Sequence, residues 1–174
     1  MVEITGVMDE PSLQISVMHT DDVKEVMRIE RASYTLPWSE QIVRDCLKVG
    51  YHGLVLKQNE VLLAYAFVSC AAGEAHILNI CVDPDHRRQG YAKALLHQSI
   101  ATVIVKGAGV IFLEVRESNH SAIELYESMG FVEIGRRADY YRRRPKSNSN
   151  SAASRHEDAL IMSRDLSLIG DEIQ

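Results

Sequence analysis

Asn79-Ile80-Cys81-Val82-Asp83-Pro84-Asp85-His86-Arg87-Arg88-Gln89-Gly90-Tyr91-Ala92 reads as the end of a strand, a tight Asp-Pro-Asp turn, a basic loop and the first turn of a helix. A helix start carries N–H groups without intrahelical acceptors, and it is the positive end of the helix dipole. Gly90 and Ala92 allow a ligand close to that backbone, and Arg87, Arg88 and Lys93 add charge. Together these suit a pyrophosphate. The spacing is neither GxGxxG nor GxxxxGKS/T, so neither a Rossmann nor a P-loop site is implied. Taken by itself, the stretch also reads as a surface loop with two solvated arginines.

Upstream, residues 51–70 read as two strands around a turn at Gln58-Asn59-Glu60, rich in Val, Leu, Tyr and Phe. A third strand runs from roughly His76 to Val82. Before these, residues 13–18 suggest a strand, and Thr20 with Asp21 and Asp22 suggests a helix start. Val23, Val26 and Met27 keep helical spacing. Leu36-Pro37-Trp38 breaks that helix, Ser39 can cap a second, and Gly50 can stop it.

Downstream, Ala92, Leu95, Leu96, Ile100 and Val103 share one helical stripe that Gly107 and Gly109 close. Val110 to Val115 is an apolar strand. Asn119 precedes a helix with Ala122, Leu125, Tyr126 and Met129 at i, i+3, i+4, i+7. Gly130 ends it before a strand at 131–134, and Ala159 to Leu166 forms a last strand. The expected order is β-α-α-β-β-β-α-β-α-β-β. This is one α/β domain over residues 12–174, after a loose leader at 1–11 and with a polar loop at 145–157.

The bulk properties agree. The chain has 174 residues, 46% apolar and 25% charged, which is ordinary globular usage for one domain. Aromatics are only 6%, so the core is mostly aliphatic. A net charge of −5 and a pI near 5.8 argue against a general nucleic-acid binder. The charge is uneven. Arg136, Arg137, Arg142, Arg143, Arg144 and Lys146 against Asp139 make residues 136–146 net +5, leaving −10 elsewhere. That basic run reads first as a solvated face, with contact to RNA or a partner as alternatives. Cys46, Cys70 and Cys81 fit neither a disulfide framework nor a zinc site. The N-terminus lacks the basic and apolar regions of a signal peptide, and no apolar run approaches the ~20 residues of a membrane span. We therefore expect a cytoplasmic protein, monomeric or weakly dimeric, with no metal and no membrane contact.

Two further runs add weight: Leu113-Glu114-Val115-Arg116-Glu117-Ser118-Asn119, then Ala122-Ile123-Glu124-Leu125-Tyr126-Glu127-Ser128-Met129-Gly130-Phe131. With the loop at 82–92 they resemble the GNAT superfamily of acetyl-CoA-dependent N-acetyltransferases, over about residues 13–166. Pro37-Trp38-Ser39-Glu40, Asn79-Ile80, Tyr140-Tyr141 and Glu157-Asp158-Ala159 make the resemblance strongest to the bacterial ribosomal-protein-alanine N-acetyltransferases. Ala92 stands where a second loop glycine is common, the segment before Glu157 is unusually long, and residues 1–11 are additional.

The resemblance implies a mixed, mostly antiparallel sheet flanked by helices, with acetyl-CoA as cosubstrate. It implies that the acetyl group moves to the α-amine of an N-terminal alanine, in a small-subunit ribosomal protein. Ile80, Cys81 and Val82 would meet the pantetheine through their backbone. Arg87, Arg88, Gln89, Gly90, Tyr91, Ala92 and Lys93 would hold the diphosphate, and Asn119 would bond the pantetheine arm. Trp38, Tyr140 and Tyr141 would line the acceptor groove. Glu114 would be the base and Tyr126 the acid.

Each role has a plainer alternative. Glu114, inside an apolar strand where burial raises a carboxyl pKa, can instead pair with an arginine. Tyr126 lies on an apolar stripe and from spacing alone reads as core. Asn119 can be an N-cap. Cys81 reads as a buried apolar cysteine rather than a nucleophile, since no partnered histidine is evident. A lysine or small-amine acetyltransferase of the same fold and a non-catalytic acetyl-CoA-binding module are the competing functions. An α-amine near pKa 7.7–8.0 is roughly a quarter neutral near pH 7.4, whereas a lysine near 10.4 is only about 0.1% neutral. One modest base therefore suffices for an α-amine.

Overall fold

Continuous apolar runs and alternating ones place the strands differently in the sheet. The computed structural model describes residues 13–142 and 156–167. The elements are β1 (Leu13–Val17), α1 (Val23–Ser33), α2 (Glu40–Lys48), β2 (His52–Gln58), β3 (Val61–Ala71), β4 (Glu74–Val82), α3 (Tyr91–Val105), β5 (Val110–Arg116), α4 (His120–Ser128), β6 (Val132–Arg142) and β7 (His156–Asp165). The order is the expected one. The strand expected at 131–134 runs on to Arg142, and β7 takes in His156 and Glu157 from the expected polar loop. The leader at 1–11 and positions 145–155 of the polar loop lie outside the described residues.

The seven strands lie in the order β1-β2-β3-β4-β5-β7-β6. Among the described residues only β4 and β5 are parallel; the other neighbours are antiparallel. β3 is buried on both faces from Leu62 to Val68, which explains its unbroken apolar run. On one face Val26, Ile29 and Val43 of α1 and α2 pack with Tyr65 and Phe67. On the other, Leu95 and Leu96 of α3 pack with Leu54, Ala66, Ile111 and Leu113. Burial of each such aliphatic side chain contributes about 1.5–3 kcal/mol.

The parallel pair is short. Glu74 to Ile77 pairs with Val110 to Leu113 and then stops. Leu78 is a bulge against Phe67 and Val68. Beyond it β4 stays with β3 through Val82, while β5 stays with β7 through Arg116. The two strands part, and the edge of β4 from Asn79 to Val82 faces an open wedge.

One ion pair ties α1 to the turn after β4. Arg28 Nη1 lies 2.6 Å from Asp83 Oδ2, and Arg28 Nη2 donates to the Leu62 carbonyl at 3.2 Å. Asp83 also accepts the Asp85 N–H at 3.1 Å. Burial alone would raise the Asp83 carboxyl, but Arg28 and the Asp85 N–H outweigh it and hold it below the ordinary carboxylate range. A depressed pKa contributes stability above the unfolded value near 3.9 and loses it as pH falls through the folded one. Arg28→Ala should therefore cost about 1 kcal/mol at pH 7, discounted for the half-exposed guanidinium. The gap between the thermal melts of the two proteins should narrow as pH falls through the depressed Asp83 pKa, and a constant gap at all pH values would contradict the pairing.

Candidate active site

A cleft of about 1180 Å³ opens at the wedge, bounded by the loop after β4, the starts of α3 and α4, and the segment after α1. Its basic end is built by backbone geometry. Asp83 caps one short turn over Pro84–His86. The chain then passes through Arg88 at φ +63° and Gly90 at φ +84°. A Cβ on Gly90 would meet nothing within 4 Å, so conformation and not crowding demands glycine there. α3 starts at the next residue, and Tyr91, Ala92 and Lys93, whose N–H groups have no intrahelical acceptor, all line the cleft. This open, positively polarised cradle fits a diphosphate.

Arg87 and Arg88 line the same end, with Arg87 Nη2 donating to Ser33 Oγ at 3.2 Å. Gln89 does not line the cleft; its Oε1 accepts the Tyr91 hydroxyl at 2.9 Å. Ile80, Cys81 and Val82 line it along the free edge of β4, where extended backbone can pair with an amide-bearing arm. Burial pushes the Cys81 thiol up, as suits the unreactive reading. Asn119 occupies the N-cap position of α4 without making the side-chain cap bond. It lines the cleft, and its Oδ1 accepts from Ser121 Oγ at 3.3 Å.

Tyr126 lines the cleft from the α3–α4 face, with its ring 5.9 Å from that of Phe131. It is both a core residue and a cleft residue. Burial, with a smaller contribution from Tyr141, pushes its phenol up to about 12. Glu114 lies on the opposite face. Alternation along β5 turns Ile111, Leu113 and Val115 into the core and Glu114 away from it. The dry surroundings expected from its apolar strand are therefore absent: the side chain is 29% exposed and Arg137 Nε lies 3.2 Å from its Oε1.

Besides Arg137, Tyr141 lies close enough to feel the Glu114 charge. Arg116 sits over the Tyr141 ring at 4.2 Å and donates to Glu157 Oε1 at 2.8 Å. Tyr140 meets Tyr141 edge-on at 4.9 Å. Trp38 packs 6.0 Å from Phe67. Glu114, Trp38, Tyr140 and Tyr141 do not line the main cleft; they flank it on the α1–α2 side or along β6. In the described part of the basic run, Arg136 pairs with Glu133 and approaches Glu117 at 3.8 Å. Its charge is thus partly answered within the chain.

Sequence reasoning missed Tyr34, Arg116 and Glu157, which line the cleft. It also missed buried Glu30, whose carboxylate accepts the Trp38 N–H at 2.8 Å. One signal was available: Glu30 continues the apolar stripe of Val23, Val26 and Met27 at helical spacing, where a carboxylate needs partners. Among the described residues no helix is long and apolar enough to cross a membrane.

The comparisons with known proteins follow the same lines. Residues 23–131 match the acetyltransferase (GNAT) family. The chain is 37% identical over 154 residues to the ribosomal protein bS18-alanine N-acetyltransferase of Escherichia coli K12, covering 88% of this chain and 98% of that one. It is 34% identical over 127 residues to the protein of the same name from Haemophilus ducreyi, covering 73% and 88%. The crystal structure of the ribosomal-protein-S18-alanine N-acetyltransferase from Escherichia coli superposes with a TM-score of 0.81 at 35% identity, over 94% of this chain and 99% of that one. Parted strands, anion cradle and sequence matches lead to one assignment: the chain belongs to the GNAT family of acetyltransferases, enzymes that use acetyl-CoA.

Proposed function

We propose that this acyltransferase moves the acetyl group of acetyl-CoA to the α-amine of an N-terminal alanine, in a small-subunit ribosomal protein, and works in the cytoplasm. The observation that carries the reading is the wedge between β4 and β5. It has an anion cradle at one end and Tyr126 in its lining, while Glu114 lies outside that lining on the other face of β5. The names of the relatives support the alanine acceptor.

When bound, acetyl-CoA supplies an acetyl thioester. The chain's own residues do the rest. The N–H groups at the start of α3, with Arg87, Arg88 and Lys93, hold the diphosphate. The free edge of β4 and Asn119 orient the arm. As the amine nitrogen bonds to the acetyl carbon and the carbon–sulfur bond breaks, one proton leaves the amine and one reaches the sulfur. Glu114 Oε accepts the first, directly or through water, and Tyr126 Oη donates the second.

The test pairs an alanine-started peptide with an N-terminally blocked peptide bearing an internal lysine. At pH 7.4 the α-amine is the more available nucleophile by about two orders of magnitude. The alanine peptide should be acetylated at least about a hundredfold faster. Equal rates, or a faster lysine, would favour a lysine acetyltransferase. Acetyl-CoA binding with no turnover would mean a binding module.

A further inference from the structure

A buried hydrogen-bond chain on the α1–α2 side has no part in the chemistry above. Glu30 is 1% exposed and Tyr65 fully buried. Glu30 Oε1 accepts the Trp38 N–H at 2.8 Å. Its Oε2 accepts the Tyr65 hydroxyl and, at 3.3 Å, an Asn79 Nδ2 hydrogen. The same side of the Asn79 amide also faces the Tyr65 oxygen, 3.1 Å from Nδ2. Asn79 Oδ1 accepts the Tyr34 hydroxyl at 3.2 Å. Tyr34 lines the cleft beside Cys81.

The donor directions of this chain follow from Glu30 as a carboxylate. A carboxylate only accepts, so both the Tyr65 hydroxyl and the Asn79 amide must donate to it. The Asn79 NH2 is then turned toward Glu30 and its oxygen toward Tyr34. Tyr34 spends its one hydrogen on Asn79, so toward Cys81 and the cleft that Tyr34 lines its oxygen can only accept. The Cys81 thiol next to it is only a weak donor.

We propose that Tyr34 is a specificity-determining residue whose oxygen accepts an N–H of the acceptor amine. Glu30, out of reach of any substrate, is a positioning residue that keeps that oxygen an acceptor. The inference rests on the transferase reading. An amine held by an acceptor keeps its own lone pair for the thioester carbon. Tyr34 belongs to the segment after α1 and packs with the α1–α2 cluster, on the face of the sheet to which Glu114 turns, whereas the diphosphate cradle is at the start of α3. A donor at this position would instead hold the amine by its lone pair and block attack.

Glu30→Gln tests the polarity directly. The Trp38 N–H can only donate and so keeps the Gln oxygen, and the new NH2 faces Tyr65 and Asn79. Asn79 then turns over, sends its NH2 to Tyr34, and Tyr34 aims its hydrogen into the cleft. Steady-state kinetics with an alanine-started peptide is the readout, beside calorimetry with acetyl-CoA. Tyr34→Phe should raise the peptide KM about five- to tenfold, the loss of one hydrogen bond, with acetyl-CoA Kd within about twofold. Glu30→Gln, which turns Tyr34 into a donor, should lower kcat/KM for the peptide at least about five- to tenfold, with acetyl-CoA Kd equally unmoved, and the double variant should match Tyr34→Phe. If Glu30→Gln does not fold, Asn79→Ala leaves Glu30 with its Trp38 and Tyr65 donors, frees the Tyr34 hydroxyl to turn and carries the same expectation.

An unchanged peptide KM in Tyr34→Phe, an equal loss of acetyl-CoA affinity, or additive losses in the double variant would overturn the inference while leaving the transferase reading intact. Wild type that acetylates no alanine-started peptide would remove that reading itself.

Discussion

Glu114→Gln lowers kcat on an alanine-started peptide by at least about a hundredfold while acetyl-CoA Kd stays within about twofold; general bases contribute that much or more. The substitution keeps shape and hydrogen-bonding reach but removes the proton acceptor. Glu114 stands apart from the cradle at Gly90, on the other face of β5 from Tyr126, so cofactor affinity has no reason to move. The Arg137 pair sharpens the expectation. If Glu114 were only the partner of that guanidinium, its loss would break a half-exposed ion pair worth about 0–1 kcal/mol and leave turnover nearly unchanged. Stopped-time mass spectrometry of the peptide separates a hundredfold loss from none.

Tyr126→Phe should also cost about a hundredfold in kcat, without unfolding the protein. The ring packs against Phe131 and the α3–α4 core, and phenylalanine keeps those contacts. What goes is the hydroxyl. With its phenol pushed up to about 12 by burial, Tyr126 stays protonated across the working range and is always able to donate. An acid is lost only above its pKa, so wild-type kcat should show no alkaline fall from this group through about pH 10. A fully active Phe variant with an unchanged melting temperature would leave Tyr126 a packing residue.

The fold was largely legible because its signals are local. The stripes at Leu95, Leu96 and Ile100 and at Ala122, Leu125 and Tyr126 gave α3 and α4. The unbroken run around Leu62–Val68 gave the central strand, and Gly90 marked the turn that needs positive φ. What stayed hidden depends on how strands meet. Nothing local says that Leu78 bulges, yet that residue marks where β4 leaves β5. Counting Glu114 as buried treated an apolar strand as uniformly dry, whereas a strand's alternate residues see opposite faces. The Glu30–Asn79–Tyr34 chain joins residues 49 and 45 positions apart, so no spacing rule reaches it.

The central claim is that coenzyme A lies in the wedge with its diphosphate at the start of α3. Isothermal titration calorimetry tests it most directly, with coenzyme A injected into wild type and into Gly90→Glu. The substitution strains a left-handed backbone position by about 1–2 kcal/mol and sets a carboxylate beside the phosphates. Wild type should bind one molecule per chain, and the variant at least about tenfold more weakly. No heat with wild type, or equal affinity in Gly90→Glu, would contradict it.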